Sequence, residues 1–242
     1  EPHHAPHVDP HSVPRITRPL DPLHRAGLAA LLPISCSTWN TTSLFGAVSS
    51  SPVRAAAKMR LLKKLLDKNL LLFAQETRGT SGELPSLPDT HVHFGSFINP
   101  DIVVSSSRAG GVVITIHSVI IDKVQSISET TSAAGRCHAV RLQGADFELL
   151  CLNVHICPQW THLQKKLFLI AISKHIRLHS AAILFLCGDW NFIHGDDRRF
   201  DTASGTQTAG NDPIAKVFES TFNDLIELAQ PNYTRANSLL AP

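Results

Sequence analysis

Three polar residues, Asn40, Glu76 and Asp189, lie at the ends of short apolar runs that are typical of buried strands. A carboxylate in this position is held by rigid backbone and can face a shared cleft. Two such carboxylates from distant parts of a chain can bind a hard cation, because Mg²⁺ prefers oxygen ligands and keeps several of its waters. Taken singly, each of the three is equally typical of an ordinary turn residue.

These three residues can meet only if the strands before them end at the same edge of the fold. The pattern of apolar residues predicts where those strands lie. Short runs rich in β-branched residues, separated by polar turns, predict strands at 34–39, 70–74, 112–116, 119–124, 137–142, 147–154 and 182–187. The helix-linked runs are almost continuously apolar, as expected of strands covered on both faces. The fold class predicted is therefore α/β, a two-sheet sandwich flanked by helices.

Helix starts are marked by capping residues. Ser51 followed by Pro52 predicts a helix to about residue 68, and Thr161 with Gln164 predicts a capping box and a helix to about residue 178. A third cap and proline precede an apolar helical face at residue 213. The polar, glycine-rich residues 194–212 predict a long loop.

The composition of the chain excludes few classes of function. The 242 residues carry a net charge of +2 and an isoelectric point near 8.4, which permits a phosphate-bearing partner without requiring one. Five cysteines without a CxxC pair predict reduced thiols in an intracellular protein. Residues 1–33, rich in proline and histidine, predict a disordered tail before a domain at 34–242. No apolar run is long enough to span a membrane.

Six short sequence words follow one another along the chain: STWN at 37–40, QETR at 75–78, GGVVI at 110–114, CLNVH at 151–155, GDWNF at 188–192 and TRAN at 234–237. Together and in this order they resemble the motifs of the endonuclease/exonuclease/phosphatase superfamily. The set covers residues 34–238 and is specific for the superfamily but not for the substrate. It is most similar to endonuclease domains of non-LTR retroelements and to AP-type endonucleases, which implies a DNase I-like fold.

The resemblance implies a role for each matching residue. Glu76 would bind the metal, Mg²⁺ or alternatively Mn²⁺, and Asn40 would support the metal or its waters. Asp189 would orient and deprotonate the attacking water, and Asn191 would hold a phosphate oxygen. His155 stands where the family carries a residue that touches the scissile phosphate.

Two further residues are assigned to substrate binding. Asn153 would orient its neighbours on the strand of the CLNVH word, and Arg136 would form either a structural ion pair or a phosphate contact. His91 and His93 share one face of a possible strand, which fits zinc geometry loosely, but the sequence places no third ligand.

One part of the family pattern is not matched. The family's Asp-His acid-base pair near the C-terminus has no counterpart before Pro242. We therefore expect the domain to be incomplete at its C-terminus, without the terminal strands. Because loss of a positioned acid-base group costs about 10²–10⁴ in rate, we also expect weak or absent catalysis by this chain alone.

The function predicted from the sequence is a metal-dependent endonuclease that nicks DNA by attack of an activated water. DNA is favoured over RNA as the partner, and the chain is expected to be a monomer. Two alternatives stay open: a phosphatase of the same superfamily acting on lipid or small phosphate esters, and a catalytically dead remnant that binds nucleic acid. The sequence leaves the compartment open, with the nucleus among the candidates.

Overall fold

The computed structural model describes residues 34–45, 51–98, 110–179, 182–192, 198–201, 206–209 and 213–225. The predicted tail at 1–33 and the TRAN word at 234–237 lie outside the described residues, so neither prediction is tested. No helix in the described part of the chain has the length and apolar composition to cross a membrane.

The first sheet has four strands in the order β1-β2-β4-β3. Their bounds are β1 (Cys36–Asn40), β2 (Leu71–Gln75), β3 (His91–Ser96) and β4 (Val112–His117). Strands β1 and β2 are parallel, whereas β4 runs antiparallel to both of its neighbours. All five residues of β2 are buried, as predicted from its apolar run.

The second sheet also has four strands, in sequence order. They are β5 (Val124–Ala133), β6 (Cys137–Gly144), β7 (Glu148–His155) and β8 (Ile183–Asp189). Strands β7 and β8 are parallel, and the other pairs are antiparallel. Each sheet therefore contains one parallel pair, joined by a helical crossover that antiparallel neighbours do not need.

One apolar core joins the two sheets. Leu71, Phe73 and Ile114 of the first sheet pack in the same buried cluster as Leu142 and Leu149 of the second. All five side chains are fully buried, and at about 25 cal/mol per Å² of apolar surface such burial is the main force holding the layers together. The predicted two-sheet sandwich is confirmed.

Helices cover the outer faces of both sheets. Helix α1 (Pro52–Leu66) begins at the Ser51 cap and packs Leu62 and Leu66 against the outer side of the first sheet. A single 3-10 helix follows β2 at Ser81–Ser86.

The second sheet is covered by two helices. Helix α3 (His162–Leu178) begins with the predicted capping box and buries Phe168, Leu169 and Ile172 in an outer cluster. Helix α4 (Pro213–Thr221) adds Ile214 to that cluster. Strand β7 is buried at every residue after Glu148, whereas β8, at the edge of the sheet, is partly buried along its length.

Three predictions on secondary structure were wrong. The strand predicted at 119–124 is a short helix, α2 (Ser118–Ile121), because the His117 side chain accepts a hydrogen bond from Val119 N and caps a helical turn. Strand β5 was missed because nearly all its side chains are exposed, which removes the apolar signal. The predicted loop at 194–212 contains a hairpin, β9 (Arg198–Asp201) and β10 (Thr206–Ala209).

Candidate active site

The two parallel strand pairs end at the same edge of the sandwich. In the first sheet Asn40 is paired with Gln75, and Glu76 follows directly. In the second sheet His155 is paired with Asp189. The carboxyl ends of parallel strands present their last side chains at a common edge, so the two sheets bring these residues together across the core.

Glu76, His155 and Asp189 form a compact group. One ligand atom of each residue lies within 4.8 Å of the others. The Glu76 Oε1 to His155 Nε2 distance is 3.4 Å, but no hydrogen bond forms across it and Nε2 is buried without a partner. Three residues that are far apart in sequence are thus assembled into one polar group.

The Asp189 carboxylate is oriented from two sides. Its Oδ2 accepts a hydrogen bond of 2.5 Å from Asn40 Nδ2, and its Oδ1 accepts one of 3.1 Å from Asn191 N. Asn40 is itself fixed, because its Oδ1 accepts from Thr42 N at 3.1 Å. The structure therefore places Asn40 as the residue that holds Asp189, next to the group that would bind a metal.

Two residues of the site have left-handed backbone. Glu76 has φ of 52° and Asn191 has φ of 50°, a region that non-glycine residues seldom occupy. The Glu76 turn is held by Ser43 N, which donates to Glu76 O at 2.7 Å. Unfavourable backbone of this kind persists only where the surroundings impose it, and it concentrates at functional sites.

Asn191 lies on the loop that leaves β8. Its Nδ2 donates a hydrogen bond of 2.7 Å to Ile156 O, which ties this loop to the end of β7. An amide nitrogen carries two hydrogens, and this contact uses one. The position is compatible with the predicted contact to a phosphate oxygen.

Arg136 contacts the ring nitrogen of His155 that faces away from Glu76. Its Nη1 lies 2.9 Å from His155 Nδ1, and its guanidinium is 6.0 Å from the centre of the Trp160 ring. Burial lowers the pKa of Arg136, while Cys157 and Glu76 offset this shift. This buried contact with a site residue is neither of the two roles predicted for Arg136, an ion pair or a phosphate contact, and both stay predictions.

Asn153 joins the two sheets beneath the site. Its Nδ2 donates to Ala74 O at 2.9 Å and to Val113 O at 2.8 Å, and its Oδ1 accepts from Gln75 Nε2 at 2.7 Å. The residue is 0% exposed, so its side chain offers no surface to a substrate. This geometry corresponds to the predicted orienting role and not to direct substrate contact.

Two residues of the site region were missed in the sequence. Gln75 is buried and bonds to both Thr38 and Asn153; its place in the QETR word was the available signal. Lys58 of helix α1 is the second, and its Nζ donates to Thr42 O at 2.6 Å and Ser43 O at 2.9 Å. Partial burial, together with Arg78 and Arg54, lowers the pKa of Lys58, and Glu76 offsets this.

The donor chemistry of the site fits a hard divalent cation. Glu76 and Asp189 supply carboxylate oxygens, which Mg²⁺ and Mn²⁺ accept, and both side chains are half-buried and so keep access to solvent. Glu76 would hold the ion, with Asn40 fixing the carboxylate beside it. Within the described residues this is the group of acidic and histidine side chains whose spacing suits a metal ion.

The chain belongs to the endonuclease/exonuclease/phosphatase family, whose model matches residues 37–238. A comparison with curated protein sequences finds no match. The retroelement subtype predicted from the sequence is therefore not tested by a close relative.

Solved structures with a similar fold act on different substrates. An AP endonuclease from Leishmania major is 15% identical, with a TM-score of 0.56 over 78% of this chain and 66% of its own. The 3′ phosphatase NExo from Neisseria, bound to product DNA hairpin, is 16% identical, with a TM-score of 0.52 over 79% and 70%. A Bacteroides thetaiotaomicron mannosyl-6-phosphatase is 10% identical, with a TM-score of 0.50 over 79% and 70%.

The chain thus spans about two thirds of the length of these similar structures. At such low identity the similarity establishes the DNase I-like fold. The family is one of metal-dependent phosphoesterases, and this class is consistent with the two carboxylates and the histidine at the strand ends.

Proposed function

We propose that this protein is a divalent-metal-dependent phosphodiesterase that nicks DNA, with Mg²⁺ as the ion and Mn²⁺ as a substitute. The observation that carries the proposal is the convergence of Glu76, His155 and Asp189, whose ligand atoms lie within 4.8 Å of one another. A bound cation would offset the negative charge that grows on the phosphate during the reaction.

Different side chains would activate the water and bind the phosphate. Asp189 accepts hydrogen bonds from Asn40 and Asn191, which aim its carboxylate at a water that it would orient and deprotonate. Asn191 would donate to a phosphate oxygen, since a neutral amide avoids the repulsion that another carboxylate would cause. The contact of His155 with the scissile phosphate stays a prediction from the family resemblance, because its side chain is 1% exposed and its Nε2 faces Glu76.

DNA is the proposed substrate because two of the similar structures are an AP endonuclease and a DNA-bound 3′ phosphatase. The net charge of +2 agrees with a polyanionic partner, though it is small. We propose DNA over RNA, a monomeric protein, and a specificity related to that of retroelement or AP-type endonucleases.

A phosphatase is the second candidate. It is favoured by the similarity of the fold to a mannosyl-6-phosphatase, whose name describes a small sugar phosphate as its substrate. The same carboxylates would serve either reaction, because both need a charge-stabilised phosphate and a positioned water.

The deciding experiment measures metal binding and cleavage together on the full 242-residue chain. Metal affinity is followed by Mn²⁺ electron paramagnetic resonance and Mg²⁺ calorimetry, and cleavage by plasmid nicking with Mg²⁺ or EDTA. Because the sequence predicts a low rate, the assay uses long incubations and includes a panel of sugar, inositol and nucleotide phosphate esters.

Glu76→Gln is the test variant, since it keeps the shape and removes the charge of the proposed ligand. We expect metal affinity to fall by at least about 10–100-fold, the loss that even an indirect partner of a metal ligand causes. Asp146→Asn is the control, because Asp146 is exposed on the turn before β7, at the opposite end of that strand from His155.

Each outcome decides between the candidates. Nicking that needs Mg²⁺ and is lost in Glu76→Gln supports the nuclease. Cleavage of a small ester without nicking supports the phosphatase. Metal binding without any cleavage, or DNA binding without metal, supports the catalytically dead remnant and contradicts the proposal.

A further inference from the structure

His155 is held between Arg136 and Glu76, in contact with each through a different ring nitrogen. Its Nδ1 lies 2.9 Å from Arg136 Nη1, and its Nε2 lies 3.4 Å from Glu76 Oε1. The side chain is only 1% exposed, so water has little access to the ring. The two nitrogens therefore have their surroundings set by the protein.

The contact with Arg136 decides which nitrogen carries the hydrogen. A guanidinium has five N–H donors and no acceptor, so Nδ1 must accept the hydrogen bond with its lone pair. A neutral imidazole carries one hydrogen, which must then be on Nε2. Arg136 thus selects the Nε2–H form of the ring.

The backbone keeps the two side chains in this relation. His155 N donates to Arg136 O at 2.7 Å, and Arg136 N donates to Ala133 O at 2.9 Å in the preceding turn. Arg136 is 8% exposed and lies against the face of Trp160. With its backbone and its guanidinium both restrained, Arg136 has little freedom to release Nδ1.

The Nε2–H is directed at the carboxylate end of the site. Nε2 is buried and has no hydrogen-bond partner, although Glu76 Oε1 and an oxygen of Asp189 lie close by. A nitrogen that carries a hydrogen has no lone pair to give to a metal. His155 is therefore suited to donate to an anionic oxygen and is not suited to bind the ion, despite its place within the group.

We propose that Arg136 is a positioning residue that fixes the tautomer of His155, so that the buried imidazole presents its Nε2–H to the carboxylate of Glu76 and does not serve as a metal ligand. The use of this donor rests on the proposed phosphodiesterase function. The tautomer itself rests only on the contacts of Arg136, and it can be tested without any activity.

The experiment compares the ¹⁵N and ¹H correlations of the His155 ring in the wild type, in Arg136→Lys and in Arg136→Gln. Lysine, like arginine, can only donate, so it is the conservative variant. Glutamine can also accept through its Oε1, which permits the Nδ1–H form. Spectra are recorded at one neutral pH, first without metal and then with saturating Mg²⁺, and His155→Asn assigns the signal.

We expect the Nε2–H form in the wild type, unchanged when Mg²⁺ is added, and the same form in Arg136→Lys. Arg136→Gln is expected to give a mixture of the two forms. The same variant is expected to lose about 10–100-fold in nicking, as is usual for a partner that orients an active-site group, while Mg²⁺ affinity stays at the wild-type value. Arg136→Lys is expected to recover most of the rate.

Three results would overturn the proposal: an Nδ1–H ring in the wild type, loss of the Nε2 hydrogen on addition of Mg²⁺, or an unchanged Nε2–H form in Arg136→Gln. If Arg136→Gln does not fold, the wild type and Arg136→Lys still decide the tautomer. If the expected tautomers are found but the wild type cleaves nothing, the phosphodiesterase function fails while the role of Arg136 in setting the ring stands.

Discussion

Two groups of polar residues lie at opposite ends of the first sheet, one of them completed by residues of the second sheet, and only that one is arranged for chemistry. The site group is Glu76, His155 and Asp189. The histidine group is His91 and His117, whose rings are 4.7 Å apart and nearly perpendicular, on neighbouring strands. The sequence indicated one member of each group as a candidate for metal binding, Glu76 for Mg²⁺ and His91, together with His93, for zinc, so the difference between the groups is instructive.

The ring nitrogens of the histidine group are used by the fold. His91 Nε2 lies 3.2 Å from Asn69 O and its Nδ1 lies 3.0 Å from Thr90 Oγ1, while His117 Nδ1 caps α2. The nearby His93 is tied to Pro88 O at 2.8 Å. The loose zinc geometry suggested by His91 and His93 gains no third ligand within the described residues.

The site group differs because its acceptors point at one another across a gap. Glu76 and Asp189 are carboxylates that come from different sheets, with ligand atoms within 4.8 Å of each other and of His155. Folding alone gives no reason to bring two like charges together. A group that brings like charges together is a better candidate for function than one whose ring nitrogens are used in hydrogen bonds of the fold.

The strongest test of this difference is Asp189→Asn. We expect it to reduce cleavage by about 10²–10⁴-fold, because the amide cannot accept the proton of the attacking water. The free energy of unfolding should change little, because removing a like charge offsets the loss of one of the two hydrogen bonds that Asp189 accepts from Asn40 and Asn191. Urea unfolding and plasmid nicking, with Asp146→Asn as the matched control, measure the two effects. A variant that keeps full activity would remove Asp189 from the proposed mechanism.

The reverse result is expected for His91→Phe. The phenyl ring keeps the shape of the side chain but gives up the contact with Asn69 O, so we expect a loss of about 1–3 kcal/mol in the free energy of unfolding. Affinity for Mg²⁺ and the rate of nicking should not change. If this variant weakened metal binding while remaining folded, the histidine group would have to be counted as part of a metal site.

The smallest expected effect is a loss of stability at acidic pH. Burial is the main cause that lowers the pKa of both His91 and His93 in the folded protein. A histidine with a lowered folded-state pKa binds its proton more readily when unfolded, so stability is complete above the unfolded pKa of about 6.5 and declines as pH falls through the folded value.

Urea midpoints between pH 7.5 and pH 5 check this dependence. We expect the midpoint to fall in the wild type, and to fall less in a His91→Phe, His93→Gln double variant that has lost both groups. Equal slopes in the two proteins would show that other groups cause the acid sensitivity.

Much of the fold was predictable because the buried strands carry their own signal. Strand β2 is buried at every residue, and its apolar run ends at Ala74, one residue before the strand ends at Gln75. The same regularity placed Asn40, Glu76 and Asp189 at strand ends. Strand β5 carries no such signal, since its side chains face solvent and its order comes from pairing with β6.

The partners of each site residue could not be predicted, because they depend on how the two sheets stack. Nothing in the CLNVH word indicates that Asn153 bonds to backbone of the first sheet, or that Arg136 meets the next strand's last residue. The Ser118–Ile121 helix was missed for a related reason, because a side-chain cap from His117 overrides the β-propensity of Val119 and its neighbours.

The Asn153 bridge has a consequence for how the site is lost. Its amide connects Ala74 and Val113 of one sheet to a strand of the other, and Gln75 closes the connection. Breaking these bonds leaves several buried polar groups unsatisfied at once, so the sheets have little to gain from parting by a small distance. The two halves of the site therefore unfold as one cooperative unit. Local unfolding at the ends of the outer helices leaves the site intact. The site is lost only when the two sheets separate.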